Sequence, residues 1–193
     1  MFKCKSFFRF LTVFVFIFSA SISAQNQDEA MKKWMDYMTP SDMHKMLAKG
    51  TGSWNMKTTF WMAPGSEPMV SEATATGEMV MDGRYLISKV KGNMMGMPFD
   101  GMSVEGYDNA AKLFMTTWID NMGTGIMYMT GKWEESSKTI NYTGKTVDPM
   151  TANWIDVRQV VTFNSDGTTT MLMYGPGPDG KEFKTMEILS TKQ

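Results

Sequence analysis

Few residues of this 193-residue chain are of a type and spacing that could do chemistry. His44 is the single histidine and Cys4 the single cysteine. A nucleophile–histidine–carboxylate triad would have to use His44, and a multi-histidine metal site is impossible. Methionine is the abundant reactive type, with 23 in the chain. Thioethers are soft ligands that suit Cu(I), and Met94-Met95-Gly96-Met97 is the densest cluster. Most other methionines recur at alternate positions: Met79 and Met81, Met127 and Met129, Met171 and Met173. Alternate residues of a strand share one face, and methionine fills irregular apolar space. Lining of a core or pocket is therefore the leading reading. A copper site at Met94, Met95 and Met97 is the alternative.

The polar candidates are scattered. Arg158, flanked by Val157 and Val160, is expected to point inward. There it would need a partner: Trp54, a carboxylate such as Glu187, or a ligand anion. Arg84, Tyr85, Tyr128 and Tyr142 are further candidates to orient a ligand head group. Asp100, Asp108, Asp120, Asp148 and Asp156 fall at strand ends or turns, where aspartate bonds its own backbone. Asn164-Ser165-Asp166-Gly167 lacks the ligand spacing of a calcium loop. Gly123-Thr124-Gly125 precedes a strand rather than a helix, so it is no phosphate cradle. No catalytic set emerges, and no cofactor is expected.

These residues must be positioned by elements that the hydrophobic period indicates. Residues 28–48 have helical spacing, with Ala30, Met31, Trp34, Met35 and Met38 on one face. Thr39-Pro40-Ser41 breaks this run and starts a second short helix with Met43, Met46 and Leu47 apolar. Gly50 and Gly52 end it. From Trp54 the period becomes two: Trp54, Met56, Thr58 and Phe60 share one face, Asn55, Lys57 and Thr59 the other. Further strands are expected at 73–81, 84–91, 99–106, 112–120, 125–133, 139–146, 155–163, 168–174 and 182–191. Asp82-Gly83 is a two-residue hairpin signal, and 92–98 reads as a loop. Every link is too short for a helical crossover, so the sheet must be antiparallel. About ten such strands would curl and close, which removes both edges.

The N-terminal segment reads as a signal peptide. Lys3, Lys5 and Arg9 precede a nine-residue apolar run and small residues ending at Ala24. That run is too short to span a bilayer, which needs about 20 residues. Cleavage there would remove the only cysteine, excluding disulfides and thiolate chemistry. The remainder is mildly acidic, which argues against nucleic acid or an anionic membrane surface as partner. The organisation expected is a signal peptide over 1–24, a helical cap over 25–50 and one barrel domain over 51–193. Export to a periplasmic or extracellular location follows, without stable membrane insertion.

Gly52-x-Trp54 resembles the opening of the calycin group, the lipocalins, fatty-acid-binding proteins and their bacterial relatives. The longer pattern is similar to a bacterial family of unknown function, number 1579 of the domain-of-unknown-function series. It matches at Gly52-Ser53-Trp54, Asp82-Gly83-Arg84-Tyr85-Leu86, Met97-Pro98-Phe99-Asp100-Gly101, Gly106-Tyr107-Asp108, Trp118-Ile119-Asp120, Asp148-Pro149, Arg158 and Asp179-Gly180-Lys181-Glu182-Phe183-Lys184. The chain ends Leu189-Ser190-Thr191-Lys192-Gln193, without the aromatic-basic ending of that family. The resemblance implies a calycin-like barrel closed at one end by Trp54, against an arginine for which Arg158 is the candidate. It implies no activity. The fold class expected is all-β: a single antiparallel up-and-down barrel behind a short helical segment. Haem ligation would need a histidine inside it, and His44 precedes the first strand.

The expected function is binding of a small apolar or amphipathic molecule in an interior lined by Met, Phe and Tyr, covered by the helices of 31–48. Two alternatives stand beside it. One is an enzyme acting on a small hydrophobic substrate through Arg84, Arg158 or a strand-end aspartate. The other is an envelope protein whose methionines buffer copper or oxidant.

Overall fold

A computed structural model describes residues 26–193. The expected signal peptide lies outside the described residues. The chain divides into two compact units at Thr39/Pro40. In the first, helix α1 spans 26–38. Its apolar row is exposed, and the Trp34 ring lies 5.8 Å from that of Tyr37. Thr39 Oγ1 donates to the Met35 carbonyl at its end (2.7 Å).

The second unit holds helix α2 (Asp42–Leu47), a 3-10 turn (Ala48–Gly50) and ten strands. These are β1 (Gly52–Phe60), β2 (Met69–Val80), β3 (Tyr85–Met94), β4 (Met97–Asp108), β5 (Leu113–Asp120), β6 (Met127–Glu134), β7 (Thr139–Val147), β8 (Trp154–Phe163), β9 (Thr169–Pro176) and β10 (Glu182–Lys192). Each strand pairs antiparallel with its chain neighbours, and β1 pairs with β10, so the barrel closes in meander order. Closure satisfies the backbone groups that two sheet edges would expose.

Several expected boundaries shift, among them β2, which begins at Met69 rather than at 73, and two turns. The 92–98 loop is a tight hairpin: β3 runs on to Met94 and β4 begins at Met97. Met95 (φ 53°) and Gly96 (φ 80°) form its apex, as a two-residue hairpin with both central residues left-handed requires. At Asp82-Gly83 the link is longer. Met81, Asp82 and Gly83 all have positive φ, and Arg84 sits in the turn rather than in the strand.

The core gathers at the end where α2 lies. Met46 and Leu47 pack with Leu86, Phe114, Met129, Ile140 and Tyr142, all buried. Helix α2 is fixed by a reciprocal cap: the Ser41 N–H donates to His44 Nδ1 at 2.9 Å. His44 is buried (6% exposed). The 3-10 turn approaches β2 so closely that a Cβ on Gly77 would overlap the Gly50 carbonyl oxygen. Glycine is required there for contact rather than for its dihedral range.

Candidate functional site

Alternation along each strand sends one set of side chains into the barrel. On β1 that set is Trp54, Met56, Thr58 and Phe60, the face read from the sequence. The two sides of the interior differ in side-chain size. The β2–β4 side carries Ser71, Ala73, Ala75, Ser88, Gly92 and Ser103. The opposite side carries Met127, Met129, Phe163, Met171, Met173, Met186 and Ile188. Small residues on one side leave a void that the larger ones do not fill. The result is a cavity of about 430 Å³, within the range of small-molecule pockets. It runs from Leu47 and Trp54, below α2, to Phe60, Met94, Phe99, Trp118 and Met122 at the other end. Asn93 and Met122, both exposed, place its mouth there. A second concavity, about 640 Å³, is an open trough that takes in Lys57, Glu72 and Lys91 of the outer wall. It encloses nothing.

Among the described residues, no Lys, Arg or His lines the cavity. Its ionisable residues are two carboxylates, Asp120 and Glu105. Asp120 is at the mouth and is well partnered: Trp118 Nε1 donates to Oδ2 (2.7 Å) and the Met122 N–H to Oδ1 (2.9 Å). Glu105 lies deep, in register with Leu86 on β3 and Thr116 on β5. Its one described partner is Ser103, whose Oγ donates to Oε1 over a long 3.3 Å. Burial raises its carboxyl above the ordinary range, and the Ser103 bond opposes this only in part. Beside it, Tyr142 OH is buried without a hydrogen-bond partner. Burial first, and then the charge of Glu105, push the Tyr142 phenol upward.

The sequence-derived candidates are dispersed. Tyr142 is the one that turns inward (1% exposed), its ring lying over Gly131, where a Cβ would overlap it. It packs in the core and does not line the cavity. Tyr85 (41% exposed) and Tyr128 (48% exposed) are on the outer face. Arg84 donates from Nη1 to the Met81 carbonyl (3.0 Å), closing its own turn. Arg158 also lies outside, which corrects the inward placement. Its Nε and Nη2 donate to Glu182 at 3.1 and 2.7 Å, and its guanidinium covers the Tyr174 ring at 3.8 Å. Glu187 instead accepts from Lys184. Trp54 Nε1 donates to the Gly50 carbonyl (3.0 Å), and Lys192, not Arg158, approaches its ring.

Met94 lines the cavity, whereas Met95 and Met97 are exposed at the hairpin. The methionines that converge do so inside, where eight of them line the void. His44 does not line it. Burial lowers the His44 pKa, a backbone bond at Tyr107 opposes this, and Arg84 adds to the lowering. Among the described residues, no three His, Cys, Asp or Glu side chains gather as a metal would need. The aspartates do bond local backbone: Asp108 Oδ1 accepts from the N–H groups of Ala110 and Ala111, and Asp148 Oδ1 from that of Met150. Glu105 is the residue that sequence reasoning missed. Carrying the alternation of β4 inward from Phe99 through Ser103 would have found it.

Comparison with known proteins agrees with this architecture. The family model described as "Protein of unknown function (DUF1579)" matches residues 39–192. The crystal structure of Rv2717c from M. tuberculosis is similar, with a TM-score of 0.57 at 12% identity. The match covers 80% of this chain and 99% of that one. At that identity the likeness speaks to the fold. No curated protein matches the chain.

Proposed function

The chain belongs to the DUF1579 family of proteins of unknown function, so no activity comes with the fold, and we propose that it binds a small apolar or amphipathic molecule inside the barrel. The observation that carries this reading is the cavity of about 430 Å³, walled by methionine, aromatic and aliphatic side chains. Flexible thioethers accommodate varied apolar shapes without a rotamer penalty at each one. The outward strand positions, among them Lys57, Glu72, Lys89, Lys132 and Lys145, are exposed and charged. That pattern is the reverse of a lipid-facing barrel and suits a wall in water.

The test is uptake of a lipophilic fluorophore by the purified protein, repeated with Ala73→Phe. Ala73 lines the void opposite Met56 and Gly92, so a phenyl ring there fills it. Saturable binding that is lost in Ala73→Phe supports the reading. Equal uptake by both proteins assigns the dye to the surface and removes it. Export is part of the same proposal and rests on the signal-peptide pattern of residues 1–24. The mass of the protein recovered from its native cells should correspond to a chain starting at Gln25. A mass starting at Met1 rejects export by this route.

A further inference from the structure

The cavity has one deep charge-bearing group, and among the described residues no basic side chain lines it to neutralise that group. Glu105 stands on the inner face of β4, between Leu86 and Thr116 in the cross-strand row. Among the described residues, no Lys, Arg or His side chain lines the cavity with it. The groups that bear on it are the Ser103 hydroxyl, at the long distance of 3.3 Å, and the Tyr142 phenol, which is the titratable group facing it from β7. Tyr142 carries no positive charge and only adds a dipole. An ionised carboxylate enclosed by methionine and aromatic side chains needs a counter-charge or a strong donor to be stable. A cavity without basic residues also repels an anionic head group, because Glu105 and Asp120 would both oppose it.

We propose that the ligand of this cavity is a lipophilic amine, its ammonium group donating to Glu105 and its apolar part lying among the methionines. The proposal rests on the ligand-binding reading given above and narrows its class. Fatty acids and other lipophilic anions are excluded as preferred ligands by the same arrangement. Charge-assisted bonds in a low-dielectric setting are stronger than neutral ones, and an ammonium has three donors to share among Glu105 and the neighbouring Ser103 and Thr116 hydroxyls. The ammonium supplies Glu105 with the cationic partner that the described cavity lining lacks.

Calorimetric titration with octylamine, octanol and octanoate at pH 7.5 tests this with three probes of equal chain length. Octylamine should bind about tenfold or more tightly than octanol, and octanoate the weakest. Glu105→Gln should bring octylamine down to the octanol level while octanol affinity stays, which also certifies that the variant is folded. Wild-type protein supplies an independent arm. Lowering the pH protonates Glu105, so octylamine affinity should fall and octanol affinity should not. If octanol or octanoate equals octylamine, or if the amine preference survives in Glu105→Gln, the amine assignment is overturned and the cavity reading stands. If none of the three probes binds and the fluorophore does not either, both readings fall together.

Discussion

The two ends of the barrel are built from the same ten strands and do opposite things. At the α2 end, inward side chains meet: Leu47, Leu86, Phe114, Ile140 and Tyr142 leave no room among themselves. Two turns there are polar and self-bonded, at Asp108 and at Asp166, whose Oδ1 accepts from the Thr168 N–H at 3.0 Å, while the β2–β3 turn exposes Met81. At the other end the inward side chains stand apart around the cavity mouth. The loops around it expose Met62, Met95, Ile126, Met150 and Trp154. Composition by itself does not distinguish the ends, since both are rich in Met and aromatic residues. What differs is pairing of sizes across the barrel. Large faces large at the α2 end, and Ser, Ala and Gly face Met in the middle. Stability should therefore reside at one end and ligand choice toward the other, and substitutions can test that division.

The largest effect should come from Phe114→Ala. Phe114 is fully buried and its ring lies 4.8 Å from that of Tyr107. Loss of a buried phenylalanine leaves a cavity and costs about 3–5 kcal/mol. Urea unfolding should show a lower midpoint with an unchanged slope. Ala73→Phe should behave in the opposite way. It places a ring in existing space, so its cost should stay within about 1.5 kcal/mol, even as it abolishes dye uptake. A Phe114→Ala protein as stable as the wild type, or an Ala73→Phe protein that is the less stable of the two variants, would erase the proposed contrast between the ends.

Acidity separates the ends by sign. His44 belongs to the packed end, and its folded pKa is lowered, chiefly by burial. Its contribution is complete above its unfolded value of 6.5 and is lost as pH falls through the folded value. Glu105 belongs to the cavity, and its folded pKa is raised by burial. Its contribution is complete below its unfolded value of 4.5 and is lost as pH rises through the folded value. Thermal melts of His44→Gln should lose the destabilisation that the wild type shows from pH 7.5 to 5. Melts of Glu105→Gln should gain on the wild type progressively as pH rises, with little difference at pH 4. Two variants with the same pH slope would mean that one of these side chains is not where its neighbours hold it.

The strands and their closure were legible because each link is short and each inner face repeats every second residue. Trp54, Met56, Thr58 and Phe60 announce an inner face in sequence, and so do Met127 with Met129 and Met171 with Met173. The family resemblance was legible for the same reason, since its matching segments are mostly turns and strand starts. Arg158 was not legible. Strand β8 carries Val157, Val160 and Val161, apolar residues of both parities, so period two could not say which side faced in. Gln159, Val161 and Phe163 line the cavity, which puts Arg158 outside. Glu105 was hidden by a different effect: a carboxylate inside an apolar barrel contradicts the polar-out rule by which the strand was read. The Met94–Met97 hairpin was hidden because Met95 adopts φ 53°, a conformation its side chain does not advertise. Places where local pattern fails are where function is expected to sit, and of these three only Glu105 lies inside the cavity without a charge partner.

The smallest effect should come from Arg158, the most prominent candidate in sequence. Its bidentate contact with Glu182 is well formed, yet the two side chains are 34% and 50% exposed. The Glu182 carboxyl is lowered and the Arg158 guanidinium raised, each chiefly by their mutual hydrogen bonds. Solvent and salt screen such a pair, and its worth is about 0.2–1 kcal/mol. Stacking on Tyr174 adds a contribution of similar size, about 0.5–1 kcal/mol. Arg158→Ala should thus lower stability by about 0.7–2 kcal/mol, below the Phe114→Ala loss, with part of it disappearing in 1 M salt. Its octylamine and dye affinities should match those of the wild type, because the guanidinium and the cavity lie on opposite faces of β8. A variant that unfolded like Phe114→Ala, or lost its ligand like Glu105→Gln, would place Arg158 inside the barrel after all and reverse the parity of that strand.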